Sequence, residues 1–499
     1  MSELIYTFVI VLVLSGLIFW LTKKALPEFL TKQEFNRWRL VWFVIVIAAY
    51  LSRSLWLLNG VIAATCILLI PRKPSDRVIY YLVLLCTLPT LKVDIPGFGG
   101  MRFIFTLTYP RMMTLMLLLG LAIKANKPKL FSLKSDKYVV LFLALISYMT
   151  FRDNTFTNSI RGILVDLIDI FVPYFVLSRY LDTKAQLDKA FLAIMIGLAP
   201  LSLIGCLESL RHWHIFDALN ISLTGSRITG YDIREGSLRA ATIFKSPIVL
   251  GYVMVIGLGL LTYLNPMIKN RRIFALAVFA FAACLLSTMS RGPWVGAACM
   301  IFVYMWTDRE AIKKITLWSF AAIAMVASLS FTPLGTKFLD LLPFVGTSRA
   351  DTVDYRARLF EQSMIVLKHH PWFGSTTFLD TPEMESMRQG QGIIDLVNSF
   401  LVIALKYGFV GLALFVAIFL VLLLRCYFIL KRIPPSEVDL IRMGRILFAI
   451  VISIMLMIAT VSSIDYVPVF YWAFAGILAA YLHVTEKTIR QFKVAGKSV

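Results

Sequence analysis

The chain consists of long apolar runs that alternate with short polar segments. A helix needs about 20 predominantly apolar residues to cross a bilayer, and roughly 17–25 are tolerated. Such runs lie near 3–22, 40–52, 54–71, 78–93, 109–125, 138–151, 160–178, 190–207, 246–264, 273–289, 292–306, 315–331, 409–424, 446–461 and 466–482. The pattern predicts an all-α, polytopic membrane protein with about 14–15 transmembrane helices.

The composition excludes the main alternatives to a membrane protein. Of the 499 residues, 59% are hydrophobic and 16% are charged, and the mean hydropathy is +0.79. Soluble domains have about 45–50% apolar and about 25% charged residues. A soluble enzyme and a disordered chain are therefore both excluded.

Basic residues are concentrated in alternate polar segments. If residues 23–39 are cytoplasmic, alternation also places 72–77, 124–137, 179–189, 265–272, 307–314, 425–445 and 483–499 on that side. These eight segments hold 31 of the 50 basic residues and account for +20 of the net charge of +21. Since cytoplasmic loops are enriched in Lys and Arg, we expect the N-terminus outside and the C-terminus inside. The net charge is then explained by membrane topology. We therefore expect the protein to contact membrane lipids and not to bind nucleic acid.

The chain divides into four regions. They are 1–245, with N-terminal transmembrane helices and an external loop at 208–245; 246–331, with central transmembrane helices; 332–408, a long external loop; and 409–499, with C-terminal transmembrane helices and a basic cytoplasmic tail. In the long loop, apolar residues recur at spacings of three and four over 356–369, which predicts an amphipathic helix that Pro371 ends. Residues 393–407 predict a second such helix before a break at Gly408–Gly411.

The external basic residues are mostly arginines. Outside the eight basic segments there are 14 Arg and 5 Lys, against 13 Arg and 18 Lys within them. Topology does not distinguish the two residue types, but phosphate recognition favours the two parallel donors of a guanidinium group. The external side is therefore suited to an anionic ligand such as a diphosphate. The alternative is that these arginines pair with external acids or with lipid headgroups.

Arg291 is the sharpest candidate for an anion site. It lies between two apolar runs with almost no loop, where an arginine is expected to face the protein interior or a wet cavity. Gly292 and Pro293 interrupt the helix and expose N–H groups at a helix start, which attract anions. The alternative is an interfacial arginine that extends its side chain towards water.

Carboxylates supply further candidates. Asp166 and Asp169 share a helix face with Arg161 nearby, and we interpret them as neutralising an arginine on another helix in preference to binding a cation. Asp395, at the end of the long loop beside an apolar run, is the best-placed general base. No zinc-ligand pattern, P-loop or dinucleotide fingerprint is present, so no metal and no cofactor is predicted.

Four segments, in this order, resemble a known family. Arg239–Gly251, Ser290–Gly296, Tyr355–Gly374 and Asp395–Leu412 resemble motifs of the O-antigen ligase and Wzy-type polysaccharide polymerase superfamily. The similarity covers roughly 230–425, and Thr242 occupies a position where the family motif has glycine.

The resemblance implies a GT-C-like, metal-independent glycosyltransferase of the bacterial inner membrane with its active site facing the periplasm. Such enzymes use oligosaccharides linked to undecaprenyl diphosphate. By this analogy, the diphosphate would be bound by Arg291 and Arg356 with help from Arg239, Arg161, Arg358 and Arg234, and the catalytic candidates are Asp395, Asn398 and His370.

One departure from the family pattern affects the expected activity. Ligases of the family have a histidine directly before the asparagine, and here that residue is Val397. We therefore expect a polymerase of an exopolysaccharide or O-antigen, with a chain-length regulator as a candidate partner. The alternatives are an O-antigen ligase, a protein O-oligosaccharyltransferase and, from another class, a lipid-linked oligosaccharide flippase or other transporter.

Overall fold

The computed structural model describes residues 2–495, except 26, 98, 100, 101, 125–128, 228, 229, 231, 235, 245, 309, 332–349, 390 and 391. The first part of the predicted long loop, 332–349, thus lies outside the described residues. Within the described part, six helices are long and apolar enough to cross a membrane: Glu3–Lys24, Lys184–Arg211, Pro247–Met267, Ser399–Leu430, Val438–Ile458 and Tyr466–Val494. The all-α, polytopic class is confirmed.

Helices follow one another along nearly the whole chain. In order they are α1 Ser2–Lys24, α2 Lys32–Leu51, α3 Leu55–Leu68, α4 Pro74–Leu84, α5 Tyr109–Met113, α6 Gly120–Ile123, α7 Asp136–Asp153, α8 Phe156–Asp166, α9 Val172–Tyr180, α10 Lys184–Arg211, α11 Asp217–Thr224, α12 Pro247–Leu264, α13 Arg271–Ser287, α14 Arg291–Trp306, α15 Ala311–Ser330, α16 Ala350–His369, α17 Pro382–Glu385, α18 Ser399–Leu430, α19 Val438–Ile458 and α20 Tyr466–Ala495. The π-helical segments Thr114–Leu119 and Leu167–Phe171 make α5–α6 and α8–α9 continuous.

Two small antiparallel hairpins complete the described structure. β1 (Lys92–Pro96) pairs with β2 (Phe103–Thr108), with Asp94 opposite Thr106. β3 (Ile233–Arg234) pairs with β4 (Ser237–Leu238). The hairpin that contains β1 corrects the sequence interpretation of 78–93, because α4 ends at Leu84 and the chain does not continue as a helix.

Local side-chain chemistry sets several helix starts. Thr31 accepts a bond from the backbone N–H of Glu34, whose side chain in turn accepts one from the N–H of Thr31, so a capping box begins α2. Ser246 caps α12, and Pro247 in its first turn needs no hydrogen-bond acceptor for its nitrogen. Each of the other predicted apolar runs coincides with a helix, and the number of membrane crossings stays a prediction.

Three helices form the centre of the bundle. The apolar stretches of α10, α12 and α20 are 83%, 83% and 89% buried, whereas that of α1 is 22% buried. All four are apolar on every side, so the first three are surrounded by other helices and α1 is suited to contact lipid. Trp472 of α20 is among the largest fully buried side chains.

Ion pairs join the polar segments that the sequence assigns to the cytoplasm. They are Lys189–Glu34, Lys184–Asp439, Lys269–Glu28, Arg445–Asp308, Arg425–Glu486 and Arg179–Asp136, with N–O distances of 2.5–2.7 Å. These contacts gather seven of the eight basic segments at one end of the bundle, which we call the basic end. At the other end, Trp213 donates to Glu3 of α1. The described ends of the chain therefore lie at opposite ends of the bundle, as the alternation predicts.

A second, smaller apolar core lies beside the main one. It comprises Leu359, Val366, Leu367, Phe378, Met384, Met387, Leu401, Ala404 and Leu405. This core packs α16 and α17 against the first turns of α18, so the amphipathic helix predicted over 356–369 is present and begins earlier, at Ala350. The second predicted helix, 393–407, begins only at Ser399, because Asn398 caps it.

Candidate active site

The turn between α19 and α20, residues 459–465, contacts the start of α18 through hydrogen bonds. Ser462 Oγ lies 3.1 Å from a carboxylate oxygen of Asp395. Ser399 Oγ donates a 2.7 Å hydrogen bond to the carbonyl of Val461. Both bonds link residues more than 60 positions apart, so the turn fixes where Asp395 stands in the fold.

The same turn contacts the start of α14. A Cβ atom at Gly292 would lie 2.5 Å from Thr460 Oγ1, so the helix start is in close contact with the turn. Further along, Ser453 of α19 donates to the carbonyl of Gly296 at 2.7 Å. Arg291 and Asp395 are thus positioned around one turn, although they are far apart in sequence.

Arg291 is the first residue of α14 and is half-buried. Ser290 occupies the N-cap position, but its side chain accepts no bond from the first turn of the helix. Backbone N–H groups at a helix start carry partial positive charge. An arginine beside them strengthens the positive potential, and this is the arrangement that binds phosphate oxygens.

Arg239 supports the loop that precedes Arg291. Its guanidinium donates to the Thr288 carbonyl at 2.9 Å, to Ser290 Oγ at 2.7 Å and to Asp232 at 2.6 Å. The residue is buried, with 6% of its surface exposed. The sequence predicted that Arg239 contacts a diphosphate, but in the structure its guanidinium bonds the protein's own loop.

Arg234 contacts the same loop. It donates to the Met289 carbonyl at 2.5 Å, and Met289 has a positive φ of 46°. Non-glycine residues seldom adopt this conformation. Two arginines thus hold the loop of residues 288–290 in an uncommon backbone shape directly before Arg291.

Arg356 lies on α16 and interacts electrostatically with Asp395. Its neighbour Tyr355 donates to the Asp395 carbonyl at 3.2 Å, which fixes this part of α16 against the segment before α18. Arg358 shares the opposite face of α16 with Asp354 and is not brought to Asp395. Of the two arginines proposed for this helix, Arg356 is the one that interacts electrostatically with Asp395.

The other catalytic candidates have separate locations. Asn398 uses its side-chain oxygen to cap α18, accepting from the N–H groups of Phe400 and Leu401 at 3.0 and 3.2 Å. His370 is exposed at the far end of α16, about 20 Å along the helix from Arg356 at 1.5 Å per residue. The structure does not bring His370 to Asp395.

Arg161 is engaged with the hairpin of β1 and β2. It donates to the carbonyls of Ile104 and Phe103 at 2.8 and 2.6 Å and to Asn158 at 2.7 Å. Asp169 forms a two-pronged pair with Arg111, which also donates to the Thr106 carbonyl. The expected neutralisation of an arginine on another helix is confirmed for Asp169.

Two glycines allow the chain to cross itself at the end of α16. Gly374 and Gly408 have φ values of 60° and 68°, and Gly408 bends α18. Around them, the N–H of Phe409 donates to Pro371 O at 2.8 Å and the N–H of Ser375 donates to Leu405 O at 2.9 Å. The crossing joins the end of α16 to the bend in α18, and this fixes the orientation of the small second core.

Glu208 is a buried polar residue that the sequence pattern did not single out. It is fully buried near the end of α10 and accepts hydrogen bonds from the backbone N–H groups of Ile215, Ala241 and Thr242. An acidic residue inside an apolar run is a sequence signal for a buried polar contact. Thr460 and Ser462 gave no comparable signal, because short hydroxyl residues in a turn are common.

His214 next to Glu208 gives a pH-dependent contribution to stability. Burial opposes protonation of the imidazole, but the carboxylates of Glu208 and Asp217 and the backbone of Gly230 favour it, so the net pKa of His214 is raised. The stabilisation is fully present below the unfolded pKa of about 6.5 and is lost as the pH rises through the folded pKa. We expect the thermal unfolding midpoint in detergent to decrease as the pH is raised from 6 to 8, and to decrease less in His214→Gln. Equal pH slopes in both proteins would contradict this.

The central part of the chain is similar to a known protein family. Residues 276–416 match the family model described as O-antigen ligase. The matched segment contains Arg291, Arg356, Asp395 and the glycine crossing, whereas Arg161, Arg234 and Arg239 precede it. No curated protein sequence matches the chain.

Proposed function

Because the chain carries an O-antigen ligase domain over residues 276–416, we propose that it polymerises a bacterial cell-surface polysaccharide. It transfers a glycan from undecaprenyl diphosphate to the non-reducing end of another lipid-linked repeat unit. The basic end faces the cytoplasm of the bacterial cell and the site faces the periplasm, as the distribution of Lys and Arg indicates.

The observation that carries this proposal is the placement of Arg291 and Asp395 around the 459–465 turn, with Arg356 interacting electrostatically with Asp395. Arg291 stands at a helix start whose N-cap side chain is engaged elsewhere. A guanidinium group at a helix start, with a second one on α16, suits a diphosphate, and the carboxylate of Asp395 suits a hydroxyl acceptor.

The chemistry is a displacement at the anomeric carbon of the donor sugar. The acceptor hydroxyl oxygen forms the new C–O bond, and the bond to the diphosphate breaks with its electron pair on the leaving phosphate oxygen. Asp395 accepts the proton of the attacking hydroxyl. Arg291 and Arg356 stabilise the charge that develops on the diphosphate, which is the largest expected contribution to rate.

Asp395→Asn tests the assignment of the base. The amide keeps the shape and the contact with Ser462 but accepts no proton, so we expect turnover to fall by about 100- to 10,000-fold. The loss should lie in kcat, and donor binding should change little. Polymer yield equal to that of the wild type between pH 5 and 9 would remove Asp395 as the base.

Polymerase and ligase activities are separated by one reconstitution. Purified protein with a lipid-diphosphate-linked repeat unit and no other acceptor should give a ladder of increasing chain length. A ligase would give no ladder, and would transfer the unit once to its separate acceptor when that acceptor is added. A transporter would move the lipid-linked substrate across vesicles without changing its length. Val397, in place of the histidine expected of ligases, supports the first outcome.

A further inference from the structure

We propose that Glu208 is a positioning residue for Arg291, acting through residues 239–242, which we call the strap. This inference rests on the proposed function, in which Arg291 binds the donor diphosphate. The geometry points to a continuous set of hydrogen bonds from the buried end of α10 to the start of α14. Arg239 is one member of this set, and its task is to hold the loop of residues 288–290.

Glu208 holds the strap through one carboxylate oxygen and a second segment, at Ile215, through the other. Oε2 accepts the backbone N–H groups of Ala241 and Thr242 at 3.1 and 2.8 Å. Oε1 accepts the N–H of Ile215 at 3.0 Å, and His214 Nδ1 lies 3.5 Å from Oε2. Several N–H donors stabilise the charged carboxylate where it is fully buried. Glu208 therefore holds two external segments against one helix end.

The strap has a backbone shape that needs this support. Thr242 has a φ of 52°, in the left-handed region that β-branched residues seldom adopt. Its backbone N–H is bound by Glu208. Glycine would reach the same φ without strain. In this chain, the bond from the N–H of Thr242 to the carboxylate supports the conformation instead.

The strap is in turn bonded to the loop before Arg291. The N–H of Ala240 donates to the Ser287 carbonyl at 3.1 Å. The side chain of Arg239 bonds Thr288 and Ser290, the residue next to Arg291. Displacement of the strap therefore displaces the loop, and a shift of about 1 Å at a binding group can reduce turnover about 100-fold.

The test compares Glu208→Gln with a matched variant on the same helix. Glutamine keeps the length but has one acceptor oxygen, so it cannot hold all three N–H groups. We expect deuterium uptake to rise in 239–242 and 287–291, and kcat to fall about 100-fold. The control is Asp188→Asn at the basic end of α10, where the buried carboxylate bonds Tyr263 at 2.5 Å. Asp188→Asn should leave both kcat and the deuterium uptake of the two segments unchanged.

A second variant keeps the inference falsifiable if Glu208→Gln does not fold. Arg239→Gln should raise uptake in 287–291 while Ala241 and Thr242 stay protected, because their bonds to Glu208 remain. Unchanged uptake at 287–291 in that variant, or wild-type kcat with the loop exposed, would overturn the positioning role. Failure of the wild-type protein to form polymer would overturn the proposed function instead, and the uptake comparison would still decide whether Glu208 orders the loop.

Discussion

Arg291→Ala is expected to abolish polymer formation while the protein remains folded and inserted in the membrane. Arg291 stands where α14 meets the 459–465 turn, and its guanidinium is the group best placed to hold a leaving diphosphate. Removing one charge-stabilising donor from an active site costs about 100- to 1,000-fold in turnover. The loss is expected at the upper end, because the helix-start N–H groups alone lack a full positive charge.

A lysine variant tests whether the charge of Arg291 or the geometry of its guanidinium group is responsible for the activity, and a variant elsewhere serves as the control. Arg291→Lys should recover little activity, because an ammonium group lacks the two parallel donors of a guanidinium. The control is Arg388→Ala, whose side chain is half exposed and forms a surface pair with Glu385. Chain-length analysis of the polysaccharide should show wild-type ladders for the control. Wild-type chain length in Arg291→Ala cells would remove the residue from the diphosphate site.

Gly408→Ala is expected to destabilise the protein strongly. Gly408 has φ 68° and ψ −172°, a region accessible almost only to glycine that costs other residues about 1–3 kcal/mol. A Cβ atom there would also overlap the carbonyl group of Trp372, and overpacking costs about a further 1–3 kcal/mol. Because the obstacle is backbone, a side-chain rotation cannot relieve it.

The measurement is thermal unfolding in detergent, with Gly16→Ala as the matched control. Apart from its chain neighbours and the adjacent backbone of α1, no described atom lies within 4 Å of the position that a Cβ atom would take at Gly16. Alanine also favours helix by about 1 kcal/mol over glycine. We expect Gly16→Ala to leave the midpoint unchanged or slightly higher, and Gly408→Ala to lower it by several degrees. Equal midpoints for the two variants would show that the crossing of Gly374 and Gly408 does not constrain the fold.

The helices and the break at Gly408 were predictable from the sequence because both are local. Apolar runs of nearly membrane-spanning length specify helices directly. Gly408 and Pro371 are strong local signals for interruption. The alternation of basic segments also predicted which loops share an end of the bundle, as the pair between Lys184 and Asp439 shows.

The partners of the arginines were not predictable, because they depend on contacts between distant parts of the chain. Arg239 bonds Ser290, 51 positions away. Asp169 pairs with Arg111, which lies 58 positions away within another apolar run. Both arginines serve the protein's own structure, so the external excess of arginine overstates the number available to a ligand.

The direct test of the diphosphate site is binding of undecaprenyl diphosphate to the purified protein in detergent. We predict that Arg291→Ala and Arg356→Ala each weaken binding at least about tenfold, corresponding to about 1.4 kcal/mol, and that Arg388→Ala leaves it unchanged. Equal affinity in the wild type, Arg291→Ala and Arg356→Ala would contradict the assignment of the diphosphate to these two arginines.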